Sequence, residues 1–230
     1  MPEPRLEVLY EDNHLLVVNK PAGLVTQGAA EGTPSVVTAG RAHLKRKYSK
    51  PGKVYLGVVS RLDAAVSGVL VLARTSKAAA RLTEQFREGT PEKTYWALVE
   101  SPPEPPSGML THWLKKDEPN QRMAVVPPQT RSALEARLSY EVIRTIQGRT
   151  LVEVRLHTGR KHQIRLQLAA IGCPILGDRK YGSPVEFPGG GIALHALRLS
   201  IDHPTTKERL TFEAPPPANW PIGRQGRAEK

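Results

Sequence analysis

Residues 59–74 place an arginine and an aspartate directly before a small-residue turn and an apolar strand. Arg61 precedes Asp63 by two positions, and the run 69–73 is continuously apolar, which predicts a buried strand. Aspartate is common in turns, where it accepts hydrogen bonds from backbone amides. A carboxylate at the mouth of a strand beside a guanidinium can also form a reaction centre. Asp63 is therefore a candidate catalytic residue, and a turn-capping role is the alternative.

A second candidate segment follows Gly159, where the pattern predicts a helix over residues 161–171. Exposed amides and the macrodipole make a helix N-terminus favourable for anions, although a basic helix face is more often simply solvated. Arg165 lies next to the apolar face of this helix and needs a partner, because an unpaired buried charge is costly. Asp63 is the candidate partner. Four side chains near the helix start can donate hydrogen bonds: Arg160, Lys161, His162 and Arg165.

The charge balance favours a polyanionic partner. Lysine plus arginine number 33 against 22 aspartate plus glutamate, which gives a net charge of +11. Such a surplus is typical of nucleic-acid-binding proteins, although a soluble basic surface is the alternative. Aromatic residues make up only 5% of the chain, so base stacking should depend on a few placed rings.

The single cysteine and the absence of long apolar runs predict a cytoplasmic protein. Cys173 cannot form an intramolecular disulfide, which favours a reducing compartment. It lies between a glycine and a proline, and no base is evident beside it, which favours a small buried side chain over a reactive thiol. Residues 1–19 do not resemble a secretory signal, and no run approaches the ~20 apolar residues that span a bilayer.

No metal site is predicted. His157 and His162 are five residues apart, which is not a helical pair, and no cysteine or carboxylate cluster accompanies them. The chain also lacks the glycine-rich loops that cradle nucleotide phosphates.

Strands and helices mix without regular βαβ alternation, which predicts an α+β fold with a mixed, largely antiparallel sheet. We expect a single domain over residues 1–230, with a mobile basic tail over about 215–230. Residues 109–132 are polar and predict irregular structure with short strands at most. The predicted helices begin at Pro34 as first helical residue and cover 76–88 and 161–171. The predicted strands cover 6–10, 15–18, 69–73, 93–99, 136–144, 151–157, 193–202 and 209–213.

Taken together, several segments resemble the RluA-type RNA pseudouridine synthases, and the resemblance covers nearly the whole chain. The matching segments, in order, are YED at 10–12, VVNKPAG at 17–23, RLD at 61–63, SG at 67–68, KTYWALV at 93–99, TGRKHQIR at 158–165, GDRKYG at 177–182 and LHALRL at 194–199. Each is modest alone, but their order and spacing make the match specific.

The resemblance implies a fold with flanking helices around a central catalytic cleft, and isomerisation of uridine to pseudouridine without a cofactor. Asp63 would be the nucleophile, attacking either the anomeric carbon of the ribose or the uracil ring. Arg165 would be its basic partner, because a nearby cation favours the ionised carboxylate. Tyr95 would stack on the flipped target base, with packing in the core as the alternative. Arg61 would fill the gap that the flipped base leaves.

The resemblance gives less definite roles to Arg160, Lys161 and His162, which would bind the substrate through phosphates or hold the local fold. The chain departs from the family at Ser60, where histidine is usual. Residues 64–66 are AAV, where a charged residue and a threonine are usual. These departures bear on substrate choice. The chain also resembles the members without an N-terminal RNA-binding domain, so RNA would bind the basic surface, including residues 45–47, 115–116 and the tail.

The resulting hypothesis is a monomeric RNA pseudouridine synthase that acts on rRNA or tRNA and has neither DNA nor a membrane as partner. A non-catalytic RNA-binding or ribosome assembly factor on the same scaffold is the alternative, because residues around Asp63 depart from the family pattern. A hydrolase using Asp63 and a histidine is a third possibility, for which the sequence indicates no suitable histidine.

Overall fold

The computed structural model describes residues 5–28, 33–49, 51–146 and 148–220. None of the helices in these ranges is long and apolar enough to cross a membrane. The helices are α1 (Val36–Lys47), α2 (Ser76–Glu88) and α3 (Gln163–Ala170). The strands are β1 (Glu7–Glu11), β2 (Leu15–Lys20), β3 (Gly57–Val58), β4 (Ser67–Ala73), β5 (Glu92–Val99), β6 (Ser107–Asp117), β7 (Arg122–Val126), β8 (Leu134–Ile146), β9 (Arg149–Leu156), β10 (Leu194–Asp202) and β11 (Arg209–Glu213).

The strand pairing is mixed and largely antiparallel. Strand β4 pairs in parallel with β10, whereas the pairs β1–β2, β2–β4, β3–β4, β6–β7, β6–β8 and β10–β11 are antiparallel. Together with the three helices, this pattern confirms the predicted α+β class.

The chain forms two compact units. The first comprises Met1–Tyr95, Arg155–His157 and His195–Pro215, and the second comprises Trp96–Val154, Thr158–Leu194 and Pro216–Lys230. The single-domain prediction for residues 1–230 stays a prediction.

The core of the first unit is built on both faces of β2 and β4. Successive residues of a strand point to opposite faces, so both strands are apolar without alternation because both faces are covered. One face packs against α2 and comprises Leu15, Val17, Val69, Val71, Ala78 and Leu82. The other packs against α1 and comprises Leu16, Val18, Leu70, Leu72, Val36, Val37 and Leu44. Strand β4 is thereby fixed from both sides, and the turn before it has a rigid support.

Side-chain caps define the first two helices. Helix α2 spans the predicted residues because the Thr75 hydroxyl accepts a hydrogen bond from the Ala78 amide, and Gly89 ends the helix with a φ of 80°. Helix α1 begins two residues later than predicted. Ser35 and Thr38 form a capping box, so Ser35 is the N-cap and Pro34 lies outside the helix. The prediction that Pro34 is the first helical residue is wrong.

The second unit contains a long strand, β6, that the sequence analysis missed. Strand β6 has 11 residues and pairs with β8 from Ser107 opposite Glu141 to Leu114 opposite Leu134. The expectation of short strands at most over 109–132 is wrong, because pairing with the neighbouring strand stabilises a sequence with little apolar periodicity. Behind this sheet, α3 and the turn after it contribute Leu166 and Tyr181 to a small core with Leu114 and Ala136.

Helix α3 is shorter than predicted. His162 adopts a left-handed conformation with φ 56° and forms the N-cap, so the helix begins at Gln163. The predicted helix start at residue 161 is therefore wrong, and Arg160, Lys161 and His162 all precede the first helical residue. Residues 163–168 are all buried, so this helix is covered on every side rather than along one stripe.

The beginning of the predicted mobile tail is packed. Trp220 is buried, and its ring meets that of Phe187 edge-on at 5.9 Å. The remainder of the predicted tail, residues 221–230, lies outside the described residues.

Candidate active site

Asp63 lies in a turn that leads directly into β4. The Val66 amide donates a hydrogen bond to the Asp63 carbonyl at 3.1 Å, and the strand begins one residue later at Ser67. Asp63 is partly buried, whereas Arg61 is exposed. The buried strand predicted after this turn is confirmed, and its backbone holds the carboxylate at the strand entrance.

Lys20, the last residue of β2, and Thr26, in the segment after it, hold the turn around Asp63. The Lys20 ammonium donates to the carbonyls of Pro21, Leu24 and Ala64 at 2.9, 2.7 and 3.1 Å. The Thr26 hydroxyl donates to the Leu62 carbonyl at 2.9 Å and accepts from the Leu62 amide at 3.3 Å. Both chain neighbours of Asp63 are therefore fixed to another segment.

Lys20 is the residue that the sequence analysis missed at this site. Its side chain is fully buried, and burial lowers its pKa to about 8 against the opposing attraction of the Asp63 charge. At neutral pH the three ammonium protons match three carbonyl acceptors, which satisfies a charge that would otherwise be costly to bury. A lysine at the end of an apolar run was the available signal.

Tyr95 lies in β5, in the first unit with Asp63. It is the last residue of β5 that belongs to this unit. Burial raises the pKa of the Tyr95 hydroxyl, and the Asp63 charge raises it further. The structure thus brings these two predicted site residues within electrostatic reach. Because the phenol stays protonated, it offers a neutral ring face and a hydrogen-bond donor beside the carboxylate.

A buried histidine connects the start of β4 to β10. The Ser67 hydroxyl lies 2.9 Å from His195 Nδ1, and His195 Nε2 donates to the Ala214 carbonyl at 3.0 Å. The carbonyl fixes the proton on Nε2, so Nδ1 accepts from the serine. Beside it, Gly68 has a φ of 116°, and a Cβ there would lie 2.2 Å from the Ala196 carbonyl oxygen. Only glycine permits this close parallel pairing.

The burial of His195 predicts a pH-dependent stability. Burial lowers its pKa from 6.5 to about 4, so between these values the unfolded chain binds more protons than the native protein. The neutral, buried His195 therefore contributes about 3 kcal/mol to the free energy of unfolding. This contribution is fully present above pH 6.5 and is lost as the pH falls to about 4. The free energy of unfolding, measured with urea across this pH range, should change less steeply with pH for His195→Gln than for the unsubstituted protein. Equal slopes would contradict the assignment.

In the second unit, Arg165 is held by a buried carboxylate. Its Nε and Nη2 atoms donate to the two oxygens of Asp178 at 2.6 and 2.7 Å, and the Tyr181 ring lies 5.1 Å from its guanidinium. The requirement for a carboxylate partner is met by Asp178, which the sequence analysis did not name as a site residue. Its position in the GDRKYG segment was the available signal. The predicted pairing of Arg165 with Asp63 stays a prediction.

The turn before α3 is organised by Gln163. Its side-chain oxygen accepts from the Thr158 hydroxyl at 2.8 Å and from the Arg160 amide at 3.0 Å. The Arg160 Nε donates to the Glu135 carbonyl at 2.9 Å, and His162 Nδ1 lies 2.7 Å from the Tyr181 hydroxyl. Lys161 is exposed. Arg160 and His162 thus support the local fold, while Lys161 presents its charge to solvent.

Two further expectations concern cysteine and metal. Cys173 is buried, as predicted, and burial raises the pKa of its thiol. Among the described residues, no three histidine, cysteine or acidic side chains are placed to hold a metal ion.

Comparison with known proteins identifies the class. The family model described as RNA pseudouridylate synthase matches residues 14–170. The dual-specificity RNA pseudouridine synthase RluA of Escherichia coli is 40% identical over 217 residues, which cover 93% of this chain and 94% of the relative. The human RNA pseudouridylate synthase domain containing 4 superposes with a TM-score of 0.76 at 27% identity, covering 92% of this chain and 89% of the human one.

The chain belongs to the RNA pseudouridylate synthase family, and within it to the RluA type. It is therefore an isomerase that forms pseudouridine in RNA. A further relative, the RNA pseudouridine synthase YlyB of Bacillus subtilis, is 36% identical over 92% of this chain and 69% of its own length. The prediction of an RluA-type enzyme is confirmed, and nothing in these comparisons supports the non-catalytic alternative.

Proposed function

We propose that this pseudouridine synthase modifies specific uridines in rRNA or tRNA, with Asp63 as the nucleophile. The observation that carries the proposal is the turn itself, in which both neighbours of Asp63 are fixed by Lys20 and Thr26 while Asp63 itself is only partly buried. A covalent catalyst needs a side chain that is held in position yet reachable by its substrate.

The proposed reaction breaks the bond between N1 of uracil and C1′ of the ribose and forms a bond between C5 and C1′. Asp63 attacks either the ribose carbon or the uracil ring, and the base rotates before it rejoins. C5 loses its proton, N1 gains one, and the carboxylate is regenerated. No electrons are exchanged with an external oxidant or reductant, so the proposal includes no cofactor.

The other site residues have supporting roles in this proposal. Tyr95 would stack on the flipped uracil, which is supported by its place beside Asp63 and its protonated hydroxyl. Arg61, which is exposed near Asp63, would fill the space that the base leaves. Arg165 would be the basic partner of Asp63, supported by its family resemblance, and Lys161 would contact phosphate. Arg160 and His162 would hold the turn that presents Lys161.

We also propose that the protein works as a monomer in the cytoplasm, with RNA and not DNA as its substrate. All of the candidate residues come from one chain, and the single cysteine suits a reducing compartment. The net charge of +11 supports binding to a polyanion.

The test is a position-resolved map of pseudouridine in total RNA from cells with and without the protein. We expect discrete positions in rRNA or tRNA to lose the modification in the deletion strain and to regain it with the purified protein. Sites confined to messenger RNA, or no change anywhere, would contradict the proposed substrate.

A further inference from the structure

A wide groove of about 980 Å³ lies in the first unit between α1 and residues 51–55. Three cationic side chains, Arg41, Lys45 and Lys53, line it, and the ring of Tyr55 is 48% exposed. Neither Asp63 nor Tyr95 is among its lining residues. The groove is therefore separate from Asp63 and Tyr95, although these two residues lie in the same unit as the groove.

The walls of this groove are well packed. A Cβ on Gly40 would lie 2.8 Å from Leu56, so glycine lets the helix approach the chain that precedes β3. Leu44 and Leu56 are buried in the same apolar cluster, which ties both walls to the core. The groove is consequently a fixed feature of the folded unit, since its floor cannot shift without opening that cluster.

Four of the five basic side chains of α1 divide into two sets according to their partners. The Lys47 ammonium pairs with the Glu11 carboxylate at 3.2 Å, and His43 Nε2 lies 2.7 Å from the same carboxylate. Within the described residues, no ion pair or hydrogen bond involves the side chains of Arg41, Lys45 or Lys53. None of the described lining residues is acidic. Three positive charges therefore face the groove without compensation, which favours an anionic occupant.

We propose that this groove binds the phosphate backbone of the substrate RNA outside the target nucleotide, with Tyr55 as a stacking surface for an unpaired base. The spacing of the cations along a groove suits a chain of phosphates, and an exposed aromatic ring among them suits a nucleobase. This assignment extends RNA binding to a surface apart from the residues that act on uridine.

The backbone connects this groove to the catalytic turn. The amides of Val36 and Val37 donate to the carbonyls of Val25 and Thr26 at 2.9 and 3.3 Å, so α1 begins on the segment that holds Leu62. RNA bound along α1 is thus held at a defined position relative to Asp63. The groove would lower the KM for RNA, whereas the rate of the bound complex would not depend on it.

The test compares two pairs of lysines in the full-length protein. Lys45→Gln with Lys53→Gln removes two groove charges, and Lys77→Gln with Lys207→Gln removes two exposed charges elsewhere in the same unit. The probe is a fluorescein-labelled RNA stem-loop with a uridine-rich loop, and its affinity is measured by anisotropy across a range of salt concentrations. For the groove variant, we expect the slope of log K against log salt to fall by about 1.4. Affinity at low salt should fall about tenfold, and kcat at saturating RNA should be unchanged.

Tyr55 gives a second, independent measurement. Tyr55→Leu should weaken stem-loop binding about fivefold or more with the salt slope unchanged, whereas Tyr55→Phe should bind normally because the ring remains. Equal losses in the groove and control lysine variants, or no loss in either, would overturn the proposal. Anisotropy does not depend on isomerisation, so a failure of the groove would be distinct from an error in the assigned RNA substrate.

Discussion

Replacing Asp63 by asparagine should reduce the rate of pseudouridine formation about a thousandfold or more. The amide has nearly the shape of the carboxylate but cannot act as the nucleophile, so the covalent step is lost. The turn should persist, because the hydrogen bonds from Lys20 and Thr26 reach the backbone of Ala64 and Leu62, which the substitution leaves unchanged. The measurement is single-turnover pseudouridine formation with excess enzyme on unmodified rRNA and tRNA transcripts.

The control is Glu141→Gln, which also replaces a carboxylate by an amide, at an exposed position of β8. It should keep activity within about twofold, as exposed substitutions away from a site usually have small effects. Both variants should bind RNA and unfold as the unsubstituted protein does. If Asp63→Asn keeps more than a tenth of the normal rate, Asp63 is not the nucleophile.

Replacing Arg165 by methionine should destabilise the protein by about 3–5 kcal/mol. Asp178 is only 1% exposed, and the substitution leaves its carboxylate buried without the guanidinium that holds both of its oxygens. Urea unfolding measures the loss, with the m-value checking that the transition stays comparable. Arg165→Lys should show a smaller loss, because an ammonium keeps the charge but not the bidentate geometry.

The double variant Arg165→Met with Asp178→Leu separates stability from catalysis. Removing both charges should recover most of the lost free energy, because a buried ion pair contributes little beyond apolar groups of similar volume. Activity should remain low if Arg165 is the basic partner of Asp63. Recovery of both stability and full activity would show that Arg165 has only a structural role. A loss below about 1 kcal/mol for the single variant would contradict the buried pair itself.

The elements that were predicted correctly have local signals. Helix α2 is bounded by Thr75 and Gly89, whose capping and turning preferences act within a few residues. Strand β6 was missed because its stability comes from β8, whose paired residues lie 20 to 34 positions further along the chain. Helix α3 was predicted too long because the left-handed His162 depends on contacts made by Gln163 and Tyr181.

In the candidate site too, the residues that were predicted have local signals, and the residue that was missed depends on a distant part of the chain. Asp63 and Tyr95 were found because they lie in short segments that resemble a known family. Lys20 was not, because its role depends on the Ala64 carbonyl, which lies 44 positions away. The contact between Ser67 and His195 spans 128 positions. Such pairings follow from strand order, which local patterns in the sequence do not determine.

The Lys20 ammonium joins the carbonyls of Pro21, Leu24 and Ala64. Two stretches that are distant in the chain are thereby fixed to each other. An insertion or deletion in residues 20–26 would displace the aspartate as surely as one in residues 61–66. Transplanting this nucleophile into another scaffold would accordingly require both stretches, in register and with their lysine.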